Sequence, residues 1–381
     1  MIKNIHIKNF KSIFDLNIDV GRINLFIGEN GSGKSNLLEA LVFVSASEAD
    51  KLDNEFLSTR GIRVTEPSLM RSAFSKTNKT KDISITIVNT DETTGYTFYN
   101  DESEYSKWKT LHKIFNEHDE IVQLLNKSGE LKEKNDIEKF AKSLSKSEIK
   151  SLLSYFKNRK RNLDNFIIYS PENTALQKFE SENQIQPLGI NGEGLLKLLK
   201  VVNSYEDKSY INTIIKSLQL FNWFEDIKIP SNLSYVEDEL IIKDKYLYKE
   251  INQKSANEGF LFILFYITLL VAKETPKAFA IDNIDASLNP KLCTKLMTTL
   301  TELAHKYDKQ IFLTTHNPAM LDGIDLNDDE QKLFVLSRNK QGYTRQKEIT
   351  KKDNPISDDG ESLHLSEAFL RGYLGGLPKG F

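Results

Sequence analysis

The chain has 381 residues, enough at ~150 residues per domain for two or three domain-sized units. Hydrophobic residues make up 39% and charged residues 28%, which excludes a disordered chain and fits a globular one with a substantial core. The formal net charge of -3 excludes a global positive field that would recruit nucleic acid or an anionic membrane, and leaves only a local basic patch open. The single cysteine, Cys293, excludes an intramolecular disulfide framework and a cysteine-only zinc site, and it suits a reducing, cytoplasmic setting.

In chain order, the first residues alternate apolar and polar as a strand does, without the continuous apolar core of a signal peptide. Ile23-Asn24-Leu25-Phe26-Ile27 reads as a short strand running into Gly28. A tight glycine loop follows, and Leu37, Leu38, Leu41 and Val42 then recur at helical spacing. Ile83–Ile87 and Tyr96–Tyr99 flank a polar stretch containing Gly95, the pattern of an antiparallel hairpin.

From about Glu102 to Asn162 the chain is rich in Lys, Glu, Asn and Ser and has no proline. Apolar residues at helical spacing (Ile121, Leu124, Leu125; Leu152, Leu153, Phe156) predict a helical insertion there. Strand-like runs return at Phe166–Tyr169, Leu240–Ile242, Ala278–Ile281 and Ile311–Leu313. Helical patterns alternate with the last two, which predicts a parallel α/β sheet. The longest apolar run, Phe260–Ala272, is well short of the ~20 residues of a membrane-spanning helix, so no membrane contact is expected. Leu333–Leu336 and a polar turn at Gly342 predict a last hairpin, and Gly372, Gly375, Gly376, Pro378 and Gly380 an irregular tail. The expected division is 1–101, 102–230 (mainly helical) and 231–381.

Gly28-Glu29-Asn30-Gly31-Ser32-Gly33-Lys34-Ser35 matches G-x-x-x-x-G-K-[ST] between a strand and a helix. Glycines let consecutive backbone N–H groups converge on phosphate oxygens, and the helix N-terminus adds its positive end. Lys34 is expected to reach the β and γ phosphates, and Ser35 to ligate Mg²⁺. The predicted nucleotide contacts are Gly28, Asn30, Gly31, Ser32, Gly33, Lys34, Ser35 and Asn36. Phe279-Ala280-Ile281-Asp282 is an apolar strand ending in an acid, placed to hold Mg²⁺ through Asp282. A second apolar strand ends in Thr314-Thr315-His316.

At these residues the chain resembles ATP-binding-cassette ATPases of the SMC and RecF type. Within that group it is most similar to prokaryotic "AAA family" ATPases with an overcoming-lysogenisation-defect style head. The segments that carry the resemblance are Asn9-Phe10-Lys11-Ser12 with the phosphate loop, Ser255–Phe260 as signature region, Asp282–Pro290 and Thr315-His316-Asn317-Pro318. It implies an α/β head, a mixed sheet with an antiparallel subsheet, interrupted by a helical insertion. It also implies Mg-ATP as cofactor and a composite site, with one protomer's phosphate loop facing the other's Ser255, Asn257 and Gly259. One chain has one of each element, so a homodimer or larger assembly is expected. Ser287, Leu288 and Asn289 look like the loop that crosses to the partner. Similar proteins sit in phage-defence modules, sensing an invader and restraining or delivering a separate effector, which can be a nuclease.

One departure matters. The family places a glutamate after the aspartate that holds the metal, and here that residue is Asn283. A carboxamide can orient water but cannot take its proton, so general-base assistance of roughly 10²–10⁴-fold is missing there. Asp285 could supply the carboxylate if the segment stays extended. Otherwise Asn283 and His316 position water for slow turnover, or ATP serves as glue with hydrolysis almost silent. Slow turnover is the expectation.

Lys157, Arg159, Lys160 and Arg161 form the densest basic cluster, a solvated helix end or a DNA contact. A RecF-like role in DNA repair would use it. His6, His112, His118, His305 and His364 show no metal-ligand spacing with cysteine, and His112 and His118 are placed in a charged helical stretch. Gln177, Gln184 and Gln186 are candidates for a glutamine lid by location alone. No G-x-S-x-G occurs, and the residues after the last hairpin are too few for an extra catalytic domain.

Overall fold

The computed structural model describes all residues except 76–79, 104–105, 115–142, 148–162, 164, 180–184, 231–238, 356–362 and 378–381. The chain opens with strands β1 (Ile2–Phe10), β2 (Ile13–Asp19) and β3 (Ile23–Gly28), then helices α1 (Lys34–Glu48), α2 (Asn54–Thr59) and α3 (Pro67–Met70). Strands β4 (Ile83–Asn89), β5 (Thr93–Tyr99), β6 (Lys109–Ile114) and β7 (Ile168–Tyr169) follow. Next come α4 (Asn173–Leu176), α5 (Leu195–Ser204), α6 (Ser209–Ser217), β8 (Phe224–Lys228), β9 (Ile241–Asp244), β10 (Ile251–Asn252) and α7 (Glu258–Val271). The last part is β11 (Ala278–Ile281), α8 (Pro290–Lys306), β12 (Gln310–Thr315), β13 (Gln331–Arg338), β14 (Thr344–Ile349) and α9 (Leu365–Leu370).

The strands form three sheets. A six-stranded sheet has the order β14-β13-β3-β12-β11-β7 and is parallel except for β14, which returns antiparallel along β13. A five-stranded antiparallel sheet has the order β2-β1-β4-β5-β6. A small antiparallel sheet, β10-β9-β8, precedes α7.

The period-2 alternation of the central strands divides the core in two. Leu25, Ile27, Phe279, Ile281, Ile311, Leu313, Leu333 and Val335 face one layer with α5, α7 and α8. Phe26, Ala278, Ala280, Phe312, Phe334 and Leu336 face the other, with α1 and the antiparallel sheet. Both faces of the sheet are covered, as a parallel sheet requires. The long apolar run is α7: every residue from Gly259 to Val271 is buried, so this helix is apolar all round because it lies inside the core. Among the described residues no helix is long and apolar enough to cross a membrane.

The parallel sheet, the hairpin β4–β5 and the final hairpin β13–β14 lie where the sequence placed them. Two readings need correction. Lys109–Ile114 is a strand paired with β5, so the sheet continues past the expected start of the helical stretch, and His112 sits on β6 against Ser47 rather than on a helix. Tyr96, opposite His112, packs against its ring at 5.0 Å, so pairing with an already formed strand overrides a polar local pattern. A short helix, α9, precedes the glycine-rich turns that read as an irregular tail. Ile121, Leu124, Leu125, Leu152, Leu153, Phe156, His118, Gln184 and the cluster Lys157, Arg159, Lys160 and Arg161 lie outside the described residues.

Candidate functional site

β3, flanked by β13 and β12, delivers the phosphate loop at the carboxyl end of the parallel sheet. Ligands of open α/β sheets bind at this edge. The loop needs its glycines for two reasons. Gly31 and Gly33 have φ of 77° and 107°, in the left-handed region. A Cβ on Gly28 would stand 2.1 Å from the Leu336 carbonyl oxygen, and one on Gly33 2.2 Å from Thr344 Oγ1. Gly33 is also the N-cap of α1 and brings no side-chain cap, so the helix's first amide groups are left for an anion.

The Lys34 ammonium curls back over the loop and donates to the carbonyls of Gly28 (2.8 Å) and Glu29 (3.1 Å). Burial pushes its pKa down to about 8, against the opposing pull of Asp282, Asp285 and Glu29. The Ser35 hydroxyl donates to Asp282 Oδ2 at 3.0 Å, which brings together two residues almost 250 positions apart. The Thr314 hydroxyl donates to the other oxygen of Asp282, fixing the carboxylate from β12. Thr314 Oγ1 also accepts the Asn283 N–H at 2.9 Å, and Asn283 takes a left-handed φ of 55°.

These side chains share one cavity of about 390 Å³ lined by Lys34, Ser35, Asp282, Asn283 and His316, together with Asn30, Gly31, Gly33 and Asn36. The hard oxygens of Ser35 and Asp282 fit Mg²⁺, and no cluster of three His, Cys, Asp or Glu side chains is present among the described residues. A bound Mg²⁺ would therefore take most of its shell from phosphate and water, and would supply charge neutralisation at the phosphates. Burial, with the nearby Lys34 charge, holds the His316 imidazole below its ordinary pKa of 6.5, while Asp285 and Asp282 pull the other way.

Asp285 is placed differently from the extended alternative considered above. The chain turns after Asp282, and Asp285 Oδ1 accepts from Thr315 Oγ1 at 2.6 Å and from the His316 N–H at 3.2 Å. Asp285 thus holds the end of β12, and its charge bears on Lys34 and His316 from there. Ser255, Asn257 and Gly259 do not line this cavity. Asn257 is the N-cap of α7, Ser255 is exposed in the preceding turn, and a Cβ on Gly259 would lie 3.0 Å from the Ser287 carbonyl oxygen. Gln177 caps α4, and Gln186 lines a separate cavity with Lys273 and Lys277.

Two cations on the cavity wall escaped the sequence reading, Arg63 and Arg338. Arg63 pairs with the buried carboxylate of Glu39 at 2.8 Å and donates to Asn36 Oδ1 at 3.2 Å. Arg338, at the end of β13, donates from Nε to the Gly31 carbonyl at 2.7 Å. Neither belongs to a local motif; only the fold brings them here. Asn36, Arg63 and Arg338 are shared with an adjoining cavity of about 420 Å³ that is also lined by Lys11, Ser12, Leu69 and Phe74.

An ATP/GTP phosphatase of Helicobacter pylori is 21% identical over 90% of this chain and 94% of its own length. The DNA replication and repair protein RecF of Lactococcus lactis is 32% identical over 19% of the chain, and an uncharacterized protein of Methanocaldococcus jannaschii is 39% identical over 24%. The chain spans 21% and 43%, respectively, of those two relatives' own lengths. Among solved structures, an SMC head bound to the C-winged helix domain of ScpA is 15% identical and superposes with a TM-score of 0.56 over 92% of this chain and 98% of its own. The SMC head domain of Thermotoga maritima, at 13% identity, gives 0.50 over 91% of this chain and 98% of its own. The fold is thus that of an SMC head. The family described as "AAA domain, putative AbiEii toxin, Type IV TA system" matches residues 23–322, most of the chain, and the protein belongs to that family.

Proposed function

We propose that the protein binds Mg-ATP, hydrolyses it slowly and dimerises through composite nucleotide sites to control a separate effector in antiviral defence. The observation that carries this reading is the single cavity in which Lys34 and Ser35 face Asp282, Asn283 and His316. Lys34 and the loop amides hold the phosphate chain, and Ser35 with Asp282 holds Mg²⁺. Asn283 and a neutral His316 orient the attacking water; among the described residues the one carboxylate on the cavity wall beside them, Asp282, is committed to Ser35, Thr314 and Mg²⁺. Asp285 acts as a positioning residue through the backbone of His316. The adjoining cavity, with Leu69 and Phe74 on its wall, receives the base and ribose.

The composite arrangement is supported by the exposure of Ser255 and Asn257 away from their own chain's phosphate loop. A partner protomer can bring the N-terminus of α7 to the γ-phosphate. Control of an effector rests on the family's toxin–antitoxin description, and on the precedent of an SMC head that docks a separate protein, ScpA. A second reading, a DNA-repair ATPase, is favoured by the RecF similarity and expects turnover stimulated by DNA. A third, an ATP-locked scaffold with negligible hydrolysis, is favoured by Asn283.

Complementation tests the composite site. Lys34→Ala removes the loop's cation and Ser255→Arg blocks the exposed signature turn, so each variant alone is expected to be inactive. Mixed, they form heterodimers with one intact site and regain part of the native turnover. A mixture as inactive as its components would contradict composite sites.

A further inference from the structure

We propose that Arg338 is a phosphate ligand supplied by the β13–β14 hairpin of the same chain, gripping the phosphate chain of ATP and ADP alike where it passes from the loop toward the adjoining cavity. The proposal rests on the nucleotide-site reading above.

The hairpin is built to hold an arginine there. β13 runs parallel to β3 with Leu336 opposite Gly28, so the end of β13 stands beside the phosphate loop. β14 fastens it: Arg338 pairs with Thr344, whose Oγ1 donates to the Ser32 carbonyl at 2.9 Å and whose N–H donates to the Ser12 carbonyl at 2.9 Å. Tyr343, in the turn between the strands, stacks on Phe14 at 4.7 Å and meets the Phe74 ring edge-on at 4.7 Å. The base of the Arg338 side chain is thus fixed by a strand pair and an aromatic cluster.

The guanidinium itself is held lightly. Among the described residues it meets no carboxylate, and its one hydrogen bond is the Nε donation to the Gly31 carbonyl. Of five N–H donors, one is used. Arg63 across the same cavity is by contrast committed to Glu39 and Asn36. An exposed, unpaired guanidinium that lines both cavities is matched by a fork of oxygens such as a phosphate presents, and such charge-assisted bonds are about twice as strong as neutral ones. Its place at the junction predicts binding that does not discriminate between di- and triphosphate.

Calorimetric titration with ATP, ADP and adenosine tests this on the full chain. Arg338→Ala and Arg338→Gln are expected to weaken ATP and ADP roughly 10–100-fold while leaving adenosine unchanged, and Arg338→Lys to recover part of the loss. The Gln variant is the discriminating one: its amide can still donate to the Gly31 carbonyl but carries no charge. Native-like affinity in Arg338→Gln would overturn the proposal, reducing Arg338 to a prop for the loop. A loss confined to ATP would overturn the junction placement. The native protein and Lys34→Ala are titrated alongside. If the native protein bound neither nucleotide, the site reading would fall and this inference with it. Native binding that is lost in Lys34→Ala but kept in the Arg338 variants would sink only the role of Arg338.

Discussion

Lys34 spends its ammonium on two loop carbonyls, and burial lowers its pKa to about 8. A phosphate chain against it favours the charged form, so nucleotide binding takes up a proton wherever free Lys34 is neutral. The sign follows directly: ATP affinity is full below pH 8 and falls above it, by up to roughly tenfold per pH unit. Titrations at pH 7, 8 and 9 in buffers of different ionisation enthalpy check both the affinity and the proton uptake. His316 has the opposite consequence at the acid side. Its pKa lies below the ordinary 6.5, so the ring is neutral at pH 7, and the acid limb of turnover is expected below pH 6.5. A pH–rate profile falling already above 6.5 would contradict a neutral His316.

At the scale of elements, the phosphate loop is wedged between α1 and the last hairpin. Gly33→Ala forces a Cβ onto a φ of 107° and to within 2.2 Å of Thr344 Oγ1. The backbone alone costs ~1–2 kcal/mol, and the overlap adds to it. Thr344→Ala removes the nearest overlapping atom, leaving Ser12 Oγ at 2.8 Å, so Gly33→Ala is expected to cost less in that background. Urea denaturation of the two single variants and the double variant measures this coupling, and strict additivity would contradict the wedge. Much at this scale was legible in the sequence. The continuous apolar runs Ala278–Ile281 and Ile311–Leu313, with helical patterns between them, pointed to parallel strands because burial on both faces leaves an unbroken apolar signal. β6 was not legible, since Lys109–Ile114 is an edge strand with one buried residue, and its conformation comes from pairing with β5. The loop residues were legible because phosphate binding needs consecutive amides. Arg63 and Arg338 were not, because each reaches the site from a different element and no spacing rule links them to Lys34.

Across the whole molecule, the start of α7 at Gly259 lies against the Ser287 carbonyl, in the turn that also carries Asn283. The turn that carries Asn283 is therefore packed on the start of the helix proposed to meet the partner. Binding that draws two protomers together should stabilise the fold as well: ATP at 100 times its dissociation constant adds ~2.7 kcal/mol. A rise in melting temperature with Mg-ATP, together with a shift from monomer to dimer in sedimentation, is expected for the native chain and for neither in Lys34→Ala. A dimer that forms equally well without nucleotide would separate assembly from the site. The order of the motifs along the chain made this head recognisable, whereas the proposed effector would be met through surfaces that carry no motif.

The central claim is that this cavity hydrolyses ATP and that Asn283 limits the rate. Steady-state phosphate release from Mg-ATP by the native protein, Asn283→Glu and Lys34→Ala tests it most directly. The account predicts slow release by the native protein, clearly faster release by Asn283→Glu, in the range of roughly 10²–10⁴-fold that a general base contributes, and none by Lys34→Ala. Fast native turnover that Asn283→Glu does not raise, or turnover that survives Lys34→Ala, would contradict it.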